Sequence, residues 1–277
     1  MNRDRRGVQL GVLLLLHELA AYGLERIPPA TLLLIVFQTL AYIGFIPVLD
    51  AYKIASHCLQ PSKIIYKKQL ERLFYPTYMH ADDMHLYYNM VSFLLKGVQL
   101  EPFFGTRYFL FLIVTFGMLI NMLIVLLSYA AHNVGFGSLN LMRQCAVGFS
   151  GVIFALKVLC QEYDPMSRQY GFLRRHRSLL NLSCWSELLL IQLATPNASF
   201  VGHLCGILIG IFYTRGFLKD ILDLIYPGTY LRSHYRRPRD EQYASRRSRP
   251  RNNDEYTGGL SEEEQFIRAM QQSRWEF

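Results

Sequence analysis

Ser150 and His203 are the two residues whose types and positions could together do chemistry. A serine hydroxyl is a weak nucleophile that needs a neighbouring base, and histidine can accept the serine proton and return it to a leaving amine. Ser150 ends the stretch AVGFS at 146–150, just before Gly151, and His203 lies in ASFVGHLCG at 198–206. Each follows the start of an apolar run by about five residues, which is 7–8 Å along a helix. Two runs that enter a membrane from the same side would therefore place both side chains at one depth.

The composition of the chain indicates that such runs cross a membrane. Of its 277 residues, 51% are hydrophobic, which is high for one soluble domain and ordinary for a polytopic membrane protein. A spanning helix needs about 20 mostly apolar residues. Six segments come near this length and predict an all-α bundle of six transmembrane helices: 29–48, 84–100, 106–130, 145–160, 178–195 and 198–215. The fourth rises only about 24 Å, so Ser150 should stand at the floor of a water-filled cavity.

Polar residues at the start of the second segment could support this pair. His85 and Asn89 have i, i+4 spacing and therefore share one helix face. The first turn of a helix also has unpaired backbone N–H groups. Together with the N–H groups around Ser150, the two side chains could bind the oxyanion of a tetrahedral intermediate.

Glycines around both residues would allow close approach. Gly148 and Gly151 remove side chains where a substrate backbone must come near Ser150. Gly202, Gly206 and Gly210 repeat every four residues, and small residues at that period let two membrane helices touch. This contact would bring His203 against Ser150.

Each of these residues alone also fits a structural role. A serine in a membrane helix can bond a backbone carbonyl, and a histidine can be a satisfied core residue. Two other catalytic patterns fail on spacing: GxSxG would need glycine where Val152 stands, and a Ser–Lys pair with Lys157 would be about 10 Å apart along the helix. We expect Lys157 to extend to the cytosolic face instead.

Basic residues predict the orientation. Loops rich in arginine and lysine favour the cytosol, and the loop 161–177 carries Arg168, Arg174, Arg175 and Arg177. Six spans then place both termini in the cytosol, although the long first loop, with several lysines, opposes this. The stretch 7–24 is open between a signal peptide, a membrane-surface helix and an additional span.

The five cysteines have no metal-binding or redox spacing. No CxxC pair occurs among Cys58, Cys145, Cys160, Cys184 and Cys205, and four of them lie in apolar stretches. We therefore predict inert buried thiols, with no metal and no other cofactor.

The motifs together resemble the rhomboid family of intramembrane serine proteases. Gly148, Phe149, Ser150 and Gly151 match its GxSG motif, and His203 with Gly206 matches its sixth-helix histidine and glycine. The family's second-helix pattern HxxxxHxxxN and third-helix opening are matched by His80, His85, Asn89 and the stretch EPFFGTRYF from Glu101. The resemblance covers roughly 25–215. It implies a six-helix bundle, a Ser–His dyad without an acidic third member, and cleavage of peptide bonds in or near membrane segments of other proteins. The family's tryptophan before the first-loop arginine is missing ahead of Arg72.

The carboxyl-terminal part has a different character. Residues 216–259 include the basic stretch 232–251, which predicts a flexible linker that could also contact anionic lipid. In 260–277, Ser261 and Glu264 form a capping-box pattern, and one helix face carries Phe266, Ala269, Met270 and Ser273. A short amphipathic helix is expected there.

This last helix resembles a ubiquitin-interacting motif. The acidic run Glu262, Glu263 and Glu264 precedes Phe266, Ala269 and Ser273 in the order typical of that motif. A rhomboid core followed by such a motif resembles an endoplasmic-reticulum branch of the family linked to degradation of ubiquitinated membrane proteins. The implied partners are transmembrane substrates, ubiquitin and the bilayer, with no nucleic acid. An AAA ATPase that binds an arginine-rich helix in that branch is a doubtful partner, because no such helix follows the motif before Phe277.

The sequence thus predicts three functional parts: an amino-terminal cytosolic or interfacial segment at 1–28, a protease domain at 29–215, and a ubiquitin-binding tail. The alternative is a catalytically silent rhomboid-like adaptor that binds membrane clients and ubiquitin. A transporter is disfavoured, because no inverted repeat is visible.

Overall fold

The described part of the chain is helical. The computed structural model describes residues 9–136, 140–163, 182–195 and 199–226, all within the first of two units, Met1–Arg232 and Ser233–Phe277. The helices are α1 Gln9–Tyr22, α2 Pro29–Tyr42, α3 Ile54–His57, α4 Pro61–Lys67, α5 Asp83–Phe104, α6 Thr106–Asn133, α7 Ser150–Tyr163, α8 Leu182–Ala194, α9 Phe200–Arg215 and α10 Leu218–Ile225. The predicted all-α fold is confirmed for these residues. The predicted ubiquitin-binding helix at 260–277 lies outside them.

The helix that begins at Ser150 occupies the centre of the bundle. Nearly all of α7 from Gly151 to Leu159 is buried, between α5, α6 and α9. Phe149, just before it, is fully buried and packs edge-to-face on Phe93 of α5, with ring centroids 5.0 Å apart. An apolar helix without a polar face belongs inside a bundle, so the GxSG motif starts in the core.

Four of the six predicted segments form helices shorter than their apolar runs, whereas α5 and α6 are longer than predicted. Among the described helices, only α6, with 28 residues, is long and apolar enough to cross a membrane alone. Helices α9 and α10 meet the same criterion together, but they are bent by 75° at their junction. α2 ends at Tyr42, not near residue 48, shortly before Gly44 at φ 93°. The predicted number of six spans stays a prediction.

The first helix lies along α5 within the bundle. At one end the Gly11 N–H donates to the Asp83 carboxylate at 3.0 Å, where α5 begins. At the other end the chain turns, and the N–H of Ala30 donates to Glu101, near the carboxyl end of α5, at 2.9 Å. α1 therefore runs in the same direction as α5, and α2 returns beside it. Of the three alternatives for 7–24, this packing favours an additional helix of the bundle.

A buried carboxylate holds the starts of two helices. Glu101 accepts from the N–H groups of Ala30 and Thr31 at 2.9 and 2.8 Å, from the Thr31 hydroxyl at 2.8 Å, and from the Thr106 hydroxyl at 2.9 Å. A buried charge is tolerated only when it is well hydrogen-bonded. Glu101 therefore fixes α2 and α6 against the end of α5.

Helix α10 lies inside the range predicted as a flexible linker. Its Asp223 accepts from the Tyr108 hydroxyl of α6 at 2.6 Å and from Lys219 at 2.7 Å. Leu222 is buried in the main core. The expected linker is therefore wrong for Leu218–Ile225, because hydrophobic residues at helical spacing pack this segment on the bundle.

Candidate active site

The structure brings Ser150 and His203 into contact. His203 Nε2 lies 2.9 Å from Ser150 Oγ, a hydrogen-bond distance. Ser150 is the first residue of α7, and His203 lies in the first turn of α9. Ser150 is partly exposed, whereas His203 is 5% exposed. A hydroxyl and an imidazole in this arrangement can exchange a proton directly.

The structure brings Ser150 and His203 together for reasons that differ in part from the prediction. We expected Ser150 about five residues into a helix, at the same depth as His203. Instead α7 begins at Ser150, and the residues before it are not helical. Gly148 has φ 130°, a conformation that side chains rarely adopt, and this turn starts the helix at Ser150.

The glycines of α9 set the distance between the two helices. A Cβ added to Gly206 would overlap the Gly151 carbonyl, and one added to Gly210 would lie 2.8 Å from Val158 Cβ. The Gly202 carbonyl lies 3.3 Å from the position of a Gly151 Cβ. The predicted close approach of small residues thus has specific partners, and it brings His203 within reach of Ser150.

His85 lies beside the Gly148 backbone, and Asn89 is hydrogen-bonded within its own helix. A Cβ on Gly148 would come within 2.8–2.9 Å of the His85 imidazole. The Asn89 amide instead donates to the His85 carbonyl on its own helix at 2.9 Å. This bond steadies the helix turn that carries His85, and the role of Asn89 as an oxyanion donor stays a prediction.

The third predicted histidine, His80, is fully enclosed. Its ring lies 5.2 Å from that of His85, and neither of its nitrogens has a hydrogen-bond partner among the described residues. Burial, and to a smaller extent His85, lowers the pKa of His80 well below 6.5. His80 is therefore neutral at physiological pH.

Sequence reasoning missed Phe154, which contacts the histidine ring. The Phe154 and His203 rings are 4.8 Å apart and inclined by 32°. His203 Nδ1 has no partner among the described residues, so ring packing and the Ser150 contact orient the imidazole. The i, i+4 spacing of Ser150 and Phe154 is a signal that could have found it.

A small pocket opens beside Ser150. Its volume is about 30 Å³, enough for a water molecule. The lining includes Leu59, Pro76 and Asn121 together with Ala146, Val147, Gly148, Ser150 and Gly151. Polar groups at this depth are tolerated where they line such a cavity.

The loop before Ser150 is tied to the first loop. Cys145 forms a disulfide with Cys58, at a Cα–Cα distance of 5.3 Å. The prediction of inert thiols is therefore wrong for these two cysteines, because partners 87 residues apart leave no local spacing signal. Cys160, Cys184 and Cys205 form no disulfide within the described part of the chain. Leu59 and Ala146 then exchange two backbone hydrogen bonds of 2.9 and 3.0 Å.

Arg72 anchors the first loop although the family's tryptophan is absent. The side chain is 3% exposed and donates to the Cys58 carbonyl at 2.8 Å and to Gln69 at 2.7 Å. Burial lowers the pKa of Arg72, but a guanidinium remains charged. Asn121 of α6 holds the next part of this loop, donating to the Leu73 carbonyl at 2.8 Å and to the Thr77 hydroxyl at 2.9 Å.

Lys157 is engaged elsewhere. Its ammonium forms an ion pair with Glu187 of α8, two turns of helix away from Ser150. We expected Lys157 to extend to the cytosolic face; instead it joins α7 to α8.

The fold and the GxSG–histidine contact match a known class of membrane protein. The Rhomboid domain model matches residues 67–220, more than half of the chain. The chain belongs to the rhomboid family, which comprises intramembrane proteases and inactive relatives.

Several curated relatives align over much of the chain. Human Rhomboid-related protein 4 is 39% identical over 297 aligned positions, which cover 100% of this chain and 90% of the human protein. The mouse Rhomboid-related protein 4 is 38% identical with the same coverage. Rhomboid-like protein 14, mitochondrial, of Arabidopsis thaliana is 37% identical over 77% of this chain and 64% of its own length. The resemblance proposed from the motifs is thereby confirmed.

Proposed function

We propose that the chain is an active intramembrane serine protease. The observation that carries this is the 2.9 Å contact between Ser150 Oγ and His203 Nε2, with Ser150 lining a small pocket. In this mechanism Ser150 Oγ attacks the carbonyl carbon of a peptide bond, and His203 Nε2 accepts the hydroxyl proton. His203 then donates that proton to the leaving amine, and water releases the acyl group by the same steps in reverse.

The negative charge on the carbonyl oxygen needs donors. The backbone N–H groups at the start of α7 are free of helical partners, because the first four N–H groups of a helix have none. The His85 imidazole lies against Gly148, which is the first glycine of the GxSG motif and stands two residues before Ser150. These groups would bind the oxyanion, and removing one such donor typically costs about 10²–10³ in rate.

The catalytically silent adaptor is the competing function. Its strongest support is family membership, because rhomboid relatives include inactive members. A silent adaptor has no need for a serine and a histidine at hydrogen-bond distance, so the contact favours the enzyme.

Substitution of the pair tests the proposal. Ser150→Ala and His203→Ala should each abolish cleavage of a model transmembrane substrate by detergent-purified protein, and to nearly the same extent, because the two residues act as a unit. Ser128→Ala is the matched control, since Ser128 is a buried serine of α6 away from the pocket. Wild-type turnover in Ser150→Ala would refute the dyad.

We further propose the endoplasmic reticulum membrane as the location, with the site open to the lumen and the carboxyl terminus in the cytosol. Disulfides persist in oxidising compartments, which agrees with a luminal position for Cys58 and Cys145. Tagged protein should co-localise with luminal and membrane markers of that organelle. Mitochondrial localisation, named in the Arabidopsis relative, would contradict this.

The packing of α1 changes the expected position of the amino terminus. α1 starts beside Asp83, at the end of α5 where His85 lies. Since α1 runs along α5, its start should face the same compartment as the active site, and not the cytosol. A glycosylation acceptor added ahead of Met1 should be modified, whereas the same acceptor added after Phe277 should not. Modification of neither acceptor would restore the expectation of two cytosolic termini.

The helix predicted at 260–277 is proposed to bind ubiquitin and thereby deliver ubiquitinated or unstable membrane proteins for degradation. Ala269 is the small residue at the centre of the face formed by Phe266, Met270 and Ser273. Ala269→Leu keeps a strong helix former but blocks close approach. It should weaken ubiquitin binding to peptide 256–277 and spare cleavage of a non-ubiquitinated substrate by the full chain. Equal binding by both peptides would leave the helix as an amphipathic tail.

A further inference from the structure

The segment that precedes Ser150 is fastened from outside its own helix. Between Cys145 and Ser150 the chain has no helical hydrogen bonds of its own, yet it forms one wall of the pocket through Ala146, Val147 and Gly148. The geometry of this segment determines where the Gly148 turn and the Ser150 hydroxyl stand.

Two kinds of contact hold the segment to the first loop. The Cys58–Cys145 disulfide closes it covalently, and the next pair along both chains, Leu59 and Ala146, exchanges two backbone hydrogen bonds. A third bond joins the Gly148 N–H to the Pro76 carbonyl at 2.9 Å. We call Cys58–Leu59 together with Cys145–Ala146 the strap.

The strap is itself fixed to the bundle. The Arg72 guanidinium donates to the Cys58 carbonyl, and Arg72 is almost completely buried. Pro76, which receives the Gly148 N–H, lies in the loop that Asn121 of α6 bonds on both sides, at Leu73 and Thr77. A continuous series of hydrogen bonds therefore connects the core helices, through the first loop, to Gly148, two residues before Ser150.

We propose that the Cys58–Cys145 disulfide, with Arg72, positions the Gly148–Ser150 turn for catalysis, so that cleavage depends on the oxidised state of this cysteine pair. The proposal rests on the protease function proposed above. Cys58 and Cys145 touch neither Ser150 nor His203 in the described contacts, and they act through the Ala146–Gly148 backbone.

The chemistry of the change is a two-electron reduction. A dithiol reagent cleaves the Cys58–Cys145 bond, delivers two electrons and two protons to give two thiols, and is itself oxidised to a cyclic disulfide. Cys145 is exposed, so the bond is open to the reagent, whereas Cys58 is buried. Without the bond, two backbone hydrogen bonds alone hold Leu59 to Ala146. A displacement of about 1 Å at a catalytic group can cost about 10²-fold in rate.

The test compares full-length proteins in detergent. We compare kcat and KM of three proteins, each with and without the dithiol. They are the wild type, a double variant that carries Cys58→Ala and Cys145→Ala, and a control variant that carries Cys160→Ala, Cys184→Ala and Cys205→Ala. Each rate is expressed per folded molecule, measured by size-exclusion chromatography well below the unfolding temperature. A merely structural bond would change the folded fraction and leave kcat per folded molecule unchanged.

The expected result is a kcat lowered by about tenfold or more in the double variant, and no further loss on adding the dithiol. Wild type and the triple control should start at full kcat, fall to the level of the double variant on reduction, and recover on reoxidation. Arg72→Gln should lower kcat in the same direction, whereas Arg72→Lys, which keeps a donor, should recover part of it.

Two results would overturn the proposal. One is an unchanged kcat per folded molecule in the double variant. The other is recovery of both Cys58 and Cys145 as alkylated thiols in mass spectra of protein blocked at lysis. Absence of cleavage by oxidised wild type is a different pattern: it would remove the protease function itself, on which the proposal rests.

Discussion

Gly206 offers a test of how closely α7 and α9 must approach for catalysis. A Cβ at this position would overlap the Gly151 carbonyl, far inside the ordinary contact distance of about 3.4 Å. The carbonyl belongs to the α7 backbone, and the Cβ is fixed directly to the α9 backbone, so no flexible side chain can move aside. Gly206→Ala should therefore separate the two helices by about 1 Å, a displacement of the size at which catalytic rates fall steeply.

The separation acts directly on the reacting pair, because His203 is one turn from Gly206 and Ser150 adjoins Gly151. The Ser150–His203 distance of 2.9 Å would lengthen to about 4 Å, which is no longer a hydrogen bond. We expect kcat to fall by about 10²-fold. Overpacking typically costs about 1–3 kcal/mol of stability, and replacing a helical glycine by alanine offsets about 0.5–1 kcal/mol of that. The variant should therefore fold.

Gly210→Ala is the matched control, one turn further from the pair. Its Cβ would lie 2.8 Å from Val158 Cβ and 2.9 Å from the Ala155 carbonyl oxygen. Both distances are longer than the one at Gly206, so a smaller shift relieves the contacts. Steady-state cleavage of a model substrate in detergent gives kcat for both variants, and thermal melting reports their stability. Wild-type kcat in a folded Gly206→Ala, or a larger loss in Gly210→Ala, would refute the reasoning that glycine contacts set the dyad distance.

Three further predictions concern the polar residues around the site. His85→Ala should lower kcat by about 10²–10³ if it binds the oxyanion, and Asn89→Ala should lower it less, because its amide bonds the His85 carbonyl; equal kinetics in both variants and wild type would assign them to packing. Because the pKa of His80 is lowered below 6.5 in the folded protein, the unfolded chain takes up a proton first as the pH falls. Stability should be complete above pH 6.5 and decline below it, and melting curves of His80→Phe should show a flatter pH dependence; identical profiles would contradict this. Glu187→Gln should destabilise the protein more than the same change combined with Lys157→Met, since it removes the carboxylate paired with a partly buried ammonium; additive losses in melting temperature would argue against a coupled pair.

Much of the bundle could be predicted because helices are periodic. Apolar runs identified α5, α6 and α9, and the four-residue glycine repeat indicated which face of α9 meets another helix. Helix ends were less predictable. The run 145–160 is apolar except for Ser150 and Lys157. Only the φ of 130° at Gly148 together with the backbone pairing at Ala146 explains why α7 starts at Ser150. Those features depend on contacts with the first loop and have no signature in the run itself.

The position of α1 could not be predicted from the sequence either. Composition left 7–24 open between three alternatives, because His17 and Glu18 interrupt an apolar stretch. In the structure Glu18 accepts a hydrogen bond from the Tyr87 hydroxyl of α5 at 3.4 Å, and Leu15 is buried. A polar residue that counts against a buried helix in the sequence therefore marks the face that packs on its neighbour.

The Ser150 site depends both on periodic patterns within helices and on contacts between residues that are distant in the sequence. Periodic small residues bring α9 against α7, and this contact supplies the histidine. The turn before Ser150 depends instead on partners distant in sequence, since Cys145 pairs with Cys58 across 87 residues and Gly148 bonds Pro76. A loop of that length is costly to close by hydrogen bonds alone, because its closure entropy grows with the number of residues enclosed. A disulfide that joins the two ends of the loop lowers the conformational entropy of the unfolded chain, so less entropy is lost when the loop closes on folding. The disulfide therefore has its greatest effect on the turn before Ser150, which is also the part of the site that local sequence patterns do not predict.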